Sequence, residues 1–217
     1  GCSPEEVPSL LKAAKELGLH VKGLSFHVGS QSTSPSTHVA AIEACSRLIE
    51  EYEVPIRILD IGGGFPVDYD HATDIDIYAF CTPIRAALAK LPEHVEVIAE
   101  PGRFLIAPAA ASITTVAGKA MRGDQPWYYL DDGVYGMFSG RIYDHARYPL
   151  HVFRSGPTRP SALVGPTCDS IDVIEEAIEL PELEVGDLVV GRMMGAYTAA
   201  TASTFNSLPI PRIVVFG

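Results

Sequence analysis

The stretch Ile56-Arg57-Ile58-Leu59-Asp60-Ile61-Gly62-Gly63-Gly64 decides the reading of this chain. Ile56–Ile61 is a short, mostly apolar run that reads as a strand, and it empties into three consecutive glycines. With no Cβ in the way, three glycines leave backbone N–H groups bare and able to curl around an anion. The same layout recurs on both sides. Val21–Val28 reads as a strand ending on His27-Val28-Gly29-Ser30, and Val95–Ala99 as one ending on Glu100-Pro101-Gly102-Arg103. Polar chemistry at three successive strand ends predicts a ligand site on the C-terminal rim of a parallel barrel or sheet, for a ligand carrying a phosphate.

Helical patterns alternate with these strands. Val7, Leu10, Leu11, Ala14 and Leu17 recur at helical spacing before Gly18, a stop signal, and Ser3 with Glu6 suits a capping box, with the regular helix beginning near Pro8. Val39, Ile42, Cys45, Leu48, Ile49 and Tyr52 mark a second helix, and Ile75–Leu88 a third. His27, Gly62 and Glu100 stand 35 and 38 positions apart, a βα beat that predicts a parallel α/β fold. After Pro108 the rhythm changes. Ala111–Val116, Trp127–Leu130, Ser161–Val164, Leu188–Arg192 and Arg212–Phe216 read as short strands between turns, with Val173–Leu180 as an acidic helical stretch. The expected division is 1–108, an α/β part, and 109–217, a β-rich domain. A full (β/α)8 barrel needs roughly 250 residues, so three βα units predict its C-terminal part, with an N-terminal barrel segment supplied from elsewhere.

Composition narrows the partners. The 217 residues are 47% apolar, enough to fill a core, and 16 basic against 27 acidic residues give a net charge of −11. That balance argues against nucleic acid or an anionic membrane as the main partner. The four cysteines, Cys2, Cys45, Cys81 and Cys168, lie far apart and in no metal-ligand spacing, so neither a disulfide framework nor a metal site is expected and a reducing cytoplasm fits. No basic and apolar leader opens the chain, and Phe104–Ala117 is too mixed for a membrane span.

Seven stretches, in order, carry a resemblance: SFHVGSQ (Ser25–Gln31), LDIGGGFP (Leu59–Pro66), AEPGR (Ala99–Arg103), DDGVYGMF (Asp131–Phe138), YDH (Tyr143–His145), GPTCDSID (Gly165–Asp172), and GAYT with STFN within Gly195–Asn206. With these the chain resembles the fold type III (alanine-racemase-like) pyridoxal-phosphate decarboxylases, on the ornithine side of the ornithine/diaminopimelate/arginine decarboxylase family. The resemblance implies the C-terminal part of a pyridoxal-phosphate-binding TIM barrel, followed by a Greek-key-like β-barrel domain. It also implies a homodimer whose active sites are shared between subunits.

The implied chemistry falls on named residues. Gly62, Gly63 and Gly64 offer the N–H cradle for the cofactor phosphate and Arg103 a charge-assisted fork, beside Gly102. The resemblance adds the hydroxyls of Ser30 and Tyr197. Glu100 takes the position of the carboxylate that pairs with the pyridine nitrogen, and His27 that of the imidazole stacked on the ring. Asp144, next to Tyr143, and Asp169 resemble the two carboxylates that hold the distal ammonium of a diamino acid, one from each subunit. Cys168 resembles the cysteine that protonates the carbanion after CO2 leaves. Tyr135 and Phe205 look like interface aromatics. Taken singly, each has a plainer reading: the glycines as a tight turn, Cys168 as a small buried hydrophobe, the aspartates as turn residues.

The small cationic substrate is argued from charge. A side-chain amine needs an anion, which Asp169 supplies, whereas the second carboxylate of diaminopimelate would demand an arginine. Relatives specific for diaminopimelate carry Cys-Glu-Ser-Gly where this chain has Thr167-Cys168-Asp169-Ser170. L-Ornithine, giving putrescine for polyamine synthesis, is preferred. Lysine adds one methylene, worth only ~1–3 kcal/mol of discrimination, so dual ornithine/lysine use stays open, as does another basic amino acid. The Schiff-base lysine of the family is missing: Lys12, Lys15, Lys22, Lys90 and Lys119 all lie in other settings. The 217 residues by themselves are therefore expected to be inactive. A non-catalytic, decarboxylase-like regulator is the other class of reading, against which the retained Glu100, Arg103, Asp144, Cys168 and Asp169 argue.

Overall fold

The computed structural model describes residues 1–52, 56–69 and 75–216. The chain forms two compact units, Gly1–Asp68 with Thr73–Phe104, and Tyr69–Ala72 with Leu105–Gly217.

In the first unit, β1 (Gly23–Ser25), β2 (Ile58–Asp60) and β3 (Glu96–Ile98) form a parallel sheet in that order, with Leu24 opposite Leu59 and Leu59 opposite Val97. The helices α1 (Val7–Glu16), α2 (Ser36–Glu51) and α3 (Ile77–Leu88) alternate with the strands. Side chains cap the chain's entry into two of them, while α2 starts after Pro35 with no side-chain cap. Glu6 Oε2 accepts from the Ser3 N–H at 2.7 Å across a single 3-10 turn before α1. Asp76 Oδ1 accepts from the N–H groups of Tyr78 and Ala79 at 2.9 and 3.1 Å before α3. Ile42 and Cys45 of α2 and Phe80, Ile84 and Ala87 of α3, at helical spacing, close over Leu59 of β2 together with Ile61 and Phe65. This packing supports the rim: the strands end beneath it, and pairing continues through Phe26 N–H to Asp60 O (3.1 Å) and Ile61 N–H to Ile98 O (2.9 Å).

The second unit is built on a six-stranded sheet of order β6-β9-β4-β5-β7-β8. Its strands are β4 (Ser112–Arg122), β5 (Gln125–Leu130), β6 (Leu150–Val152), β7 (Arg159–Val164), β8 (Val173–Leu180) and β9 (Leu188–Gly191), all antiparallel to their neighbours except β5 with β7. In β5, Pro126, Tyr128 and Leu130 are buried in strict alternation, the period-two signature of a strand with one face in the core.

Two segments depart from what their sequence suggests. Val173–Leu180 is a strand, not a helix: it pairs along β7 from Val173 opposite Val164 to Leu180 opposite Arg159. As the outermost strand it exposes Glu176 and Glu179, and charge on an edge blocks further strand addition. Arg212–Phe216 joins no ladder among the described residues, and its Ile213 and Val215 side chains are 71% and 88% exposed. β6 was not legible, because Leu150-His151-Val152 follows Pro149 with no longer apolar run around it to mark a strand.

No helix among the described residues is long and apolar enough to cross a membrane, and the four cysteines are free thiols.

Candidate functional site

The glycine triplet is where the three strand exits of the first unit meet. Gly62 has φ +63° and Gly64 φ +86°, conformations that cost a residue bearing a Cβ ~1–2 kcal/mol. Space is the harder constraint. A Cβ on Gly62 would run into the carbonyl oxygen of Phe26, and one on Gly64 into that of Gly29. A Cβ on Gly63 would stand 2.7 Å from the Glu100 carbonyl oxygen and 3.7 Å from His27 Cε1. Only glycine lets the exits of β1 and β3 close on that of β2, with His27 and the Glu100 backbone both against Gly63.

Peptide planarity then aims the donors. The Gly62 carbonyl accepts from the Glu100 N–H at 2.8 Å, so the Gly63 N–H of the same trans peptide points the opposite way. The Gly63 carbonyl accepts from His38 Nε2 at 3.0 Å. The Gly62 N–H is used locally by Asp60 Oδ1 at 2.9 Å, while no acceptor among the described residues meets the N–H of Gly63 or Gly64. These two are the N–H groups of the triplet available to an anion.

The β1 exit loop is clamped to the segment after the triplet. Gln31 donates to Val67 O and accepts from Val67 N–H, both at 2.8 Å, and the Ser32 N–H donates to Gly64 O at 2.9 Å. His27 and Ser30 are thereby held on the exposed rim. The Glu100 side chain is exposed too, above a backbone fixed by Gly62 O and by the Gly102 N–H, 2.7 Å from Glu100 O. Arg103 is buried at the start of α4 (Gly102–Ile106).

A second cluster forms within the second unit. The Tyr135 hydroxyl donates to Asp169 Oδ2 at 2.5 Å, and its ring stacks on Phe205 with centroids 4.3 Å apart. That hydrogen bond, with the Ile171 N–H, holds the Asp169 carboxyl below its ordinary range, and pushes the Tyr135 phenol up to about 12. Cys168 is exposed, with Asn206 Nδ2 3.4 Å from its sulfur. The plain reading of Cys168 as a buried hydrophobe does not describe this chain. Asp144 sits exposed at the end of α5 (Gly140–Tyr143), its N–H bonded to Gly140 O at 3.0 Å, with Tyr143 69% exposed beside it. Tyr197 is half-exposed, at φ +54°. The hydrogen bonds described bring Tyr135, Asp169, Cys168 and Asn206 together; they do not link Asp144 to Asp169.

Two buried carboxylates support this cluster. Asp172 accepts from the N–H groups of Val134 (2.8 Å) and Thr167 (3.0 Å) and from the Thr167 hydroxyl (2.7 Å), tying the Asp131–Phe138 and Gly165–Asp172 loops together. Asp132 caps the N–H groups of Gly133 and Met137; burial pushes its carboxyl up, against the pull of those donors. Asp172→Ala strands three donors, one of them on buried Val134, so thermal or urea unfolding should show the second unit destabilised by about 2–4 kcal/mol. Neither these aspartates nor Gln31, His38 and Asn206 were singled out from the sequence. Gln31, Asp132, Asp172 and Asn206 stood inside quoted motifs, but their partners lie in other loops.

The family model described as the pyridoxal binding domain of pyridoxal-dependent decarboxylases matches residues 1–107. A lysine/ornithine decarboxylase of Selenomonas ruminantium is 42% identical over 219 residues, taking in 100% of this chain and 56% of that protein. The ornithine decarboxylase of Mus musculus is 39% identical over 232 residues, or 94% and 49%. Among solved structures, lysine/ornithine decarboxylase of Vibrio vulnificus complexed with cadaverine superposes with a TM-score of 0.92 at 53% identity, covering 97% of this chain and 59% of that one. The chain spans about half the length of the curated relatives it matches. Pyridoxal phosphate is the cofactor, and the rim suits it: two N–H groups of a glycine turn are left without an acceptor among the described residues, with the His27 imidazole and the Glu100 backbone packed against Gly63. A three-strand portion of a parallel barrel carrying this cradle, followed by a β-sheet unit, places the chain in the fold type III pyridoxal-phosphate-dependent decarboxylases, close to ornithine decarboxylase.

Proposed function

We propose that residues 1–108 are the C-terminal part of the cofactor barrel, and 109–217 the β-domain, of a cytoplasmic, homodimeric decarboxylase that converts L-ornithine to putrescine. The observation that carries the reading is the closure of three strand exits on Gly62–Gly64, with His27 and Glu100 at its middle residue. Pyridoxal phosphate, when bound, supplies a pyridinium ring that accepts the electron pair left as CO2 departs.

The chain's residues then have distinct tasks. The N–H groups of Gly63 and Gly64, with Arg103, Ser30 and Tyr197, bind the phosphate; Gly62 and Gly102 shape the loops that present them. His27 covers the ring face, and Glu100 holds a proton on the ring nitrogen. Asp144 of one subunit and Asp169 of the other, with Tyr143, hold the distal ammonium of the substrate, and the lowered Asp169 carboxyl favours the charged form this needs. Cys168 Sγ delivers a proton to the α-carbon.

Lysine is the second substrate to consider, because the relatives from Selenomonas and Vibrio are named for both amino acids. Scoring CO2 release by the native protein against ornithine, lysine, arginine and diaminopimelate tests this. Ornithine should lead, with lysine slower by about 10- to 200-fold in kcat/KM, one methylene's worth, and diaminopimelate inert. Activity on diaminopimelate would refute the assignment.

The chain's five lysines serve elsewhere. Lys12 and Lys15 lie in α1 and Lys22 at the entry of β1. Lys90 pairs with Glu43 at 3.6 Å, and Lys119, in β4, with Glu184 at 2.7 Å. The lysine that the reaction needs is one these 217 residues do not supply, so by themselves they should release no CO2.

A further inference from the structure

We propose that His38 is a positioning residue of the anion cradle: from the first turn of α2 it fixes the Gly63 carbonyl and so aims the Gly64 N–H at the cofactor phosphate. The inference rests on the pyridoxal phosphate reading above. His38 is 0% exposed, and its Nε2 lies 3.0 Å from Gly63 O. A carbonyl oxygen only accepts, so Nε2 carries the proton. Burial pushes the imidazole below its ordinary value; the bond to Gly63 works against this and the charge of His27 adds to it.

Gly63 C=O and Gly64 N–H belong to one trans peptide and point in opposite directions. With the carbonyl drawn toward α2, the N–H faces away from the helix. The Ser32 N–H, 2.9 Å from Gly64 O, fixes the next peptide, so Gly64 is held from both sides. Without the His38 donor, a residue at φ +86° with no side chain of its own has little else to hold its amide in one direction.

The imidazole stands in an apolar setting. Phe65 and Phe80 flank the ring, with centroids 4.9 and 6.0 Å away. His38 Nδ1 is buried and has no hydrogen-bond partner among the described residues. An unpaired buried acceptor costs stability, and phenylalanine would fill the same apolar place without that cost. The one interaction phenylalanine cannot provide is the donor to Gly63.

His38→Phe and His38→Gln in the native protein test this. Three quantities are measured: affinity for pyridoxal phosphate, affinity for pyridoxal, which lacks the phosphate, and the thermal midpoint of the cofactor-free protein. His38→Phe should keep or raise the midpoint, leave pyridoxal affinity within about twofold, and weaken pyridoxal phosphate by about 5- to 30-fold, the range for one oriented donor. His38→Gln, whose amide nitrogen can reach the same carbonyl, should recover most of that loss. Equal losses for both ligands, or unchanged pyridoxal phosphate affinity in His38→Phe, would overturn the inference while leaving the cofactor reading intact. A native protein that binds no pyridoxal phosphate would overturn both.

Discussion

Alanine at position 62 is expected to destabilise the first unit by at least ~3 kcal/mol and to weaken cofactor binding by about a hundredfold or more. Alanine at position 18 should cost only ~1 kcal/mol and leave binding unchanged. The two glycines share a left-handed backbone, φ +63° and +71°, so the conformational cost of a Cβ is common to both. They differ in what the Cβ meets. Past the end of α1, nothing lies within 4 Å of it at Gly18. At Gly62 it meets the carbonyl oxygen of Phe26, which is backbone and cannot swing aside as a side chain would. Relief requires the β1 and β2 exits to part, and with them His27 and the peptides that aim the two donors. Urea unfolding and a pyridoxal phosphate titration of both variants check this. Equal losses at the two sites would mean that backbone strain alone, and not the meeting of the loops, sets the importance of the triplet.

Glutamine at position 100 is expected to lower kcat by about a hundredfold to a thousandfold while KM changes by less than about threefold. The substitution keeps the shape of the side chain. The backbone at this position is fixed independently, by the Glu100 N–H to Gly62 O at 2.8 Å and the Gly102 N–H to Glu100 O at 2.7 Å, so the cradle should survive. On the proposed reading, what is lost is the negative charge that would hold a proton on the ring nitrogen, where it counts most as electrons flow into the ring. Glu96→Gln, an exposed carboxylate on β3 of the same unit, provides the control for net charge and should leave kcat as it is. Steady-state kinetics of CO2 release by the native protein and both variants decide it. A Glu100→Gln enzyme with near-native kcat would remove Glu100 from the chemistry.

Much of the architecture could be read directly because it is local. The spacing of Ile42, Cys45 and Ile49 on α2 and of Phe80, Ile84 and Ala87 on α3 declares which faces are buried, and those faces are the ones packed in the core. The three strand exits were legible because glycine, proline and charged residues break apolar runs sharply. Val173–Leu180 was not, because Val-Ile-Glu-Glu-Ala-Ile-Glu-Leu suits a helix as well as an edge strand; the neighbouring β7 decides between them. Arg212–Phe216 carries a strand's composition without a described partner, and composition alone makes no ladder.

Side-chain type and spacing along the chain were enough to read the βα alternation, the glycine triplet and the family's polar residues in their order. Packing in three dimensions is what sets a Cβ on Gly62 against the Phe26 carbonyl and leaves the N–H groups of Gly63 and Gly64 without an acceptor among the described residues. It likewise brings His38 to the Gly63 carbonyl, Gln31 to Val67 and Tyr135 to Asp169. What separates the two is direction. A hydrogen bond depends on where a donor points, and at these positions that is set by peptide planes and partners 25 to 36 residues away.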